Sequence, residues 1–85
     1  MKTFEQLLER ISINPKVMVG KPVIRGTRVP VELIVKMLAQ GIPEQEILSE
    51  YPHLVSEDIR AALAYASATL SNEEVIPTFE AEPIA

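Results

Sequence analysis

The chain has no cysteine, no tryptophan, four aromatic residues and one histidine, His53. Without cysteine, neither a disulfide nor a thiolate zinc site can staple the fold, and the composition suits a reducing compartment. One histidine among scattered acids has no metal-ligand spacing. No apolar run approaches the roughly 20 residues that cross a bilayer. The first ten residues, Met1 to Arg10, lack the apolar centre of a signal peptide. The expectation is a soluble, cytoplasmic protein without membrane contact. Acids are missing from one whole stretch: between Arg10 and Val31 there are five cations (Arg10, Lys16, Lys21, Arg25, Arg28) and no carboxylate. From Glu32 onward the balance inverts, with ten acids against Lys36 and Arg60. Such polarity points to binding, either of two kinds of partner or of one half to the other across an oligomer.

What is present is one small domain. Eighty-five residues, 47% of them apolar, make a thin core of Ile, Val, Leu and Ala. A chain this short buries only roughly 60–65% of its unfolded surface. With no covalent or metal staple, association is the remaining source of stability, so a homodimer is expected.

Thr3-Phe-Glu-Gln6 fits a capping box, and Phe4, Leu7, Leu8 and Ile11 share a helical face, which predicts a short helix over 4–10. Ile11 to Asn14 alternates like a strand and stops at Pro15. Val17 to Val19 and Val23-Ile24 are two further β-prone pieces. Gly26-Thr27 predicts a tight hairpin between Ile24-Arg25 and Arg28-Val29. Pro30 suits the first position of a helix carrying Val31, Ile34, Val35 and Leu38 inward, with Leu33 and Met37 widening the stripe and Gly41 stopping it. Pro43 opens a second helix with Ile47, Leu48 and Tyr51 inside, and Pro52 closes it. Ser56 is the expected N-cap of a third helix whose buried face is Ile59, Ala62, Leu63, Ala66 and Leu70. Residues 73–85 carry four acids, two prolines and no periodicity, and read as an extended or disordered tail.

The domain plan is therefore a single domain over 1–71 and a flexible acidic tail over 72–85. Within the domain, 1–10 is a short helix, 11–29 a β-hairpin region and 30–71 three helices. The fold class is mainly α, in the outline of a trihelical helix-turn-helix domain.

Nothing in the pattern provides catalysis. His53 lies in a helix-to-helix turn, where capping a backbone carbonyl is the favoured role over a general base. Adjacent acids such as Glu57-Asp58 do not face one another on a helix. No catalytic residue, metal or cofactor is expected. The basic turn is the stronger lead. Lys21, Arg25 and Arg28 are candidates for holding DNA phosphates, with Lys36 and Arg60 as further contacts. The alternative is that these cations pair with acids of the later helices or of a dimer mate. The third helix opens on Glu57, Asp58 and Arg60, an unfavourable start for docking on DNA. In the tail, Val75, Ile76 and Phe79 are apolar anchors beside Glu80, a pattern that folds along a basic partner's groove.

Asn14-Pro15, Gly20-Lys-Pro22, Ile24-Arg-Gly-Thr-Arg-Val-Pro30, Gly41, Tyr51-Pro-His-Leu54 and Ile59-Arg-Ala-Ala-Leu-Ala-Tyr65 together resemble the small prokaryotic family known as domain of unknown function 433, over roughly residues 8–66. The resemblance implies a homeodomain-like trihelical fold preceded by β segments. It also implies the role of an antitoxin that neutralises a PIN-type ribonuclease toxin by direct contact and represses its own operon by binding DNA. The tail lies outside the match, so its assignment to the toxin rests on its own chemistry. The alternative reading is a dimeric structural or interaction module that binds no nucleic acid.

Overall fold

The computed structural model describes residues 2–72. These residues form four α-helices, two short strands and one 3₁₀ turn. In order they are α1 (Phe4–Leu8), β1 (Ile11–Ile13), the 3₁₀ turn (Met18–Gly20), β2 (Pro22–Ile24), α2 (Val31–Ala39), α3 (Glu44–Glu50) and α4 (Ser56–Ser71). The described chain is mainly helical.

Helix α1 starts on the expected capping box. The Gln6 amide donates to Thr3 Oγ1 at 3.1 Å and the Thr3 amide donates to Gln6 Oε1 at 2.9 Å. β1 and β2 then pair antiparallel, with Ile11 opposite Ile24, Ser12 opposite Val23 and Ile13 opposite Pro22. The β-prone segment Val17 to Val19 is not a strand. Asn14 turns the chain, its Oδ1 accepting from the Lys16 amide at 2.8 Å and its carbonyl from the Val17 amide at 2.8 Å. Met18, Val19 and Gly20 follow with φ of 51°, 55° and 80°. The connection has to reverse direction between two paired strands, and that requirement overrides the β preference of valine. A β-branched residue in the left-handed region is strained.

The turn at Gly26 forms as expected, with φ +82° at the glycine. Its flanks close to a single bridge, Val23 to Pro30, instead of a two-stranded hairpin. Pro30 is the N-cap of α2 and not its first helical residue. At the other end the Gly41 amide donates to Leu38 at 3.0 Å and the Ile42 amide to Met37 at 3.1 Å. This double closure over a glycine at φ +85° stops α2.

Ile24, Ile34 and Ile47, one each from β2, α2 and α3, are the largest fully buried side chains. Around them lie Ile11, Val31, Leu54, Ile59, Ala61 and Ala62. Helix α4 packs on α1, α2, α3 and both strands. Its buried face is Asp58, Ile59, Ala61, Ala62 and Ala64. Leu63 and Leu70, expected inside, are 46% and 67% exposed. The face is rotated because alanines, not leucines, allow α4 to approach several elements at once. No described helix is long and apolar enough to cross a membrane.

Candidate functional site

The basic segment divides into side chains bonded into the fold and side chains without a partner among the described residues. Arg25 belongs to the first group. Its Nε donates to the Glu9 carbonyl at 2.9 Å and its Nη2 to the Ile11 carbonyl at 3.2 Å. Its backbone amide donates to the Arg10 carbonyl at 2.7 Å. The guanidinium fork thereby ties the end of α1 and the start of β1 to the turn after β2. Thr27 closes the same turn. Its hydroxyl donates to the Ile24 carbonyl at 2.7 Å and accepts from the Val29 amide at 3.0 Å. Within Arg25-Gly26-Thr27-Arg28, the first three residues shape the turn. Arg28 is exposed and has no hydrogen bond or ion pair among the described residues.

The structure does not gather the five expected DNA contacts in one place. Arg25 lines a hollow with Lys2, Arg10 and Asp58. Arg28 lines another with Ser12, Asn14 and Val17. Arg60 lies beside Lys2 and Glu57, and its Nη1 donates to Ser56 Oγ at 3.3 Å. Lys21 and Lys36 do come together, around Glu32. Lys21 Nζ sits 2.8 Å from Glu32 Oε2. The hydrogen bond and charge of Lys21, aided by the charge of Lys36, hold the Glu32 carboxyl below its ordinary pKa. His53 is exposed and caps no carbonyl among the described residues, contrary to its expected role.

Two features carried no signal in the sequence. The first is an ion pair between Arg10 Nε and Asp58 Oδ1 at 2.9 Å, with Asp58 6% exposed. The other carboxylate oxygen, Oδ2, accepts from the Val55 amide at 2.9 Å. The N-cap of α4 is therefore Val55, and Ser56, the expected cap, is the first helical residue. Valine offers no acceptor, so Asp58 in the first turn supplies the capping interaction. A pairing across 48 positions leaves no periodic mark. It also removes one acid from the solvent-facing start of α4.

The second feature is a groove of about 440 Å³ between α2 and the last two turns of α4. Val35 and Ala39 form one wall, Tyr65, Ala66 and Leu70 the other, and Lys21, Glu32 and Lys36 are also among its lining residues. The sequence placed Ala66 and Leu70 in the core, which hid the groove. Among the described residues, no group of three or more His, Asp or Glu side chains converges to hold a metal. The expected partner contacts Val75, Ile76, Phe79 and Glu80 lie outside the described residues.

This architecture and its turn chemistry place the chain among known relatives. Residues 11–66 match the family described as Protein of unknown function (DUF433), and the chain belongs to that family. A crystal structure of a DUF433 member protein from Anabaena variabilis is similar to it, with a TM-score of 0.70 and 39% identity, covering 79% of this chain and 66% of that one. An uncharacterised protein of Sinorhizobium fredii is 40% identical over 60 residues, 71% of this chain but only 27% of that protein. An uncharacterised protein of Archaeoglobus fulgidus is 57% identical over 30 residues, 35% of this chain and 83% of that protein. The chain thus spans about a quarter of the rhizobial relative's length.

Proposed function

We propose that this chain is an antitoxin-like protein that neutralises a PIN-type ribonuclease by direct contact and represses its own operon by binding DNA as a homodimer. The observation that carries the reading is the arrangement of α2, α3 and α4. Three helices are joined by the short turns over 40–43 and 51–55, with α4 packed on both others, and this outline supports a homeodomain-like helix-turn-helix reading. Neutralisation of Asp58 by Arg10 eases the charge conflict at the start of α4. Arg28, Lys36 and Arg60 are the exposed cations offered to phosphates, with Lys21 available by exchange from Glu32 and Arg25 through the part of its fork that the turn leaves free. Val75, Ile76, Phe79 and Glu80 are offered to the nuclease, and no catalytic role is assigned.

The test is co-expression of the full chain with the product of the neighbouring gene. The expected result is a co-purified complex without ribonuclease activity. A Val75→Asp, Ile76→Asp, Phe79→Asp variant is expected to lose the complex. Independent migration of the two full-length proteins overturns the reading. Operator binding is expected to weaken linearly in log–log salt titration, with a slope set by the number of phosphates contacted.

A second reading has its own observation. Three of the five expected DNA contacts, Arg25, Lys21 and Arg60, already make side-chain hydrogen bonds within the fold. That favours an interaction module without nucleic acid, and flat salt dependence of any DNA retention would select it.

A further inference from the structure

The groove between α2 and α4 is an apolar surface without a cover among the described residues, and the chain itself provides a segment that fits it. Helix α4 ends at Ser71, one residue beyond Leu70 of the groove wall. Tyr65, in the same wall, lies six residues before that end, about 9 Å back along a helix. Val75 and Ile76 lie three and four residues beyond Asn72, a reach of about 10–13 Å for extended chain. Val75 and Ile76 are therefore within reach of the groove wall of their own chain.

The charges match as well. Residues 73–85 hold four glutamates and no cation. The groove presents exposed Lys36, which forms no ion pair among the described residues, beside Lys21 and Glu32, which pair with each other. A glutamate of the acidic segment placed against Lys36 supplies the opposite charge.

We propose that Val75, Ile76 and Phe79 dock in the α2–α4 groove of their own chain, with a flanking glutamate against Lys36. Docking in cis is independent of the nuclease reading. Its regulatory meaning rests on that reading: the anchors offered to the nuclease are sheltered until the partner draws them out.

The chain contains no tryptophan, so Phe79→Trp in the full-length protein gives a single emitter on the segment. No nuclease is present in the experiment, so its outcome is separate from that of the co-expression test. The expected result is blue-shifted emission at every protein concentration. Acrylamide quenching is expected to fall at least about twofold against the urea-unfolded chain, as it must if the segment is docked more than half the time. Adding Ala39→Glu and Thr69→Glu, two exposed groove positions, is expected to return both readouts to the unfolded values. Val75→Ser with Ile76→Ser provides a second release test, needing no change in the folded domain. Solvent-exposed emission in the Phe79→Trp protein overturns the proposal, as does burial that none of these substitutions relieves. Burial that grows with protein concentration assigns the groove to a neighbouring copy's segment and overturns docking in cis.

Discussion

Arg10 and Asp58, 48 positions apart, meet at 2.9 Å, and that contact fastens the N-terminal segment to the first turn of α4. One oxygen of Asp58 takes the guanidinium while the other takes the Val55 amide. A single buried carboxylate thereby caps a helix and closes the longest-range ion pair among the described residues.

Asp58→Ala removes both interactions and leaves the guanidinium half-buried without its anion. Loss of one partner of such a pair costs about 2–4 kcal/mol. Arg10→Ala is expected to cost less, because the capping bond survives. In a urea-denaturation double-mutant cycle, the two losses are expected to be non-additive. Additive losses would contradict a direct coupling.

The two arginines of the Arg-Gly-Thr-Arg turn are expected to separate by readout. Arg25→Ala removes two charge-assisted hydrogen bonds to carbonyls and is expected to destabilise the fold by about 1–3 kcal/mol. Arg25→Lys is not expected to restore it, since an ammonium cannot span two carbonyls as the fork does. Arg28→Ala is expected to leave stability within about 0.5 kcal/mol. If Arg28 holds a phosphate, its loss lowers the salt slope of operator binding by about one.

Val19 has φ 55° and ψ 40° and is 92% exposed, so its side chain gains little from packing while its backbone is strained. Asparagine tolerates this region. Val19→Asn is expected to stabilise the protein by about 0.5–1 kcal/mol, read as a raised urea midpoint with unchanged slope. A lowered midpoint would show that Val19 makes a stabilising contact.

Burial predicts a contrast that hydrophobicity alone does not. Ile34 is fully buried in α2, and Ile34→Ala is expected to cost about 2–5 kcal/mol. Leu63, 46% exposed on α4, is expected to cost under about 1 kcal/mol as Leu63→Ala. Equal losses would place Leu63 in an interface formed in solution.

Glu32 connects stability to pH. Its folded-state pKa lies below the ordinary value of 4.5 because Lys21 stabilises the carboxylate. A depressed pKa contributes stability above the unfolded value, and that contribution is lost as pH falls from 4.5 through the folded value. Glu32→Gln is expected to flatten this part of an acid titration of the urea midpoint at low salt. The pair is exposed, so added salt is expected to shrink the difference. A difference that persists in high salt would mean that the contribution is not electrostatic.

What the sequence alone determined is the local part of this protein. The Thr3–Gln6 box, the stop at Gly41 and the prolines before α2 and α3 act over a few residues, so helix order and most boundaries are legible in the pattern. The motif from Gly20 to Pro30 was legible as a turn and as a family mark. Only the tertiary structure decided which side chains serve that turn and which remain outside it. Val17 to Val19 lost its strand because the reversal between β1 and β2 outweighs β propensity. Leu63 and Leu70 left the core because α4 meets its neighbours through alanines, which set its rotation. Arg25 became a clamp on carbonyls, and Asp58 a cap, through partners distant in the chain. The physical reason is common to all four: periodicity records which face of an element is apolar, while close packing and long-range hydrogen bonds decide which face is used.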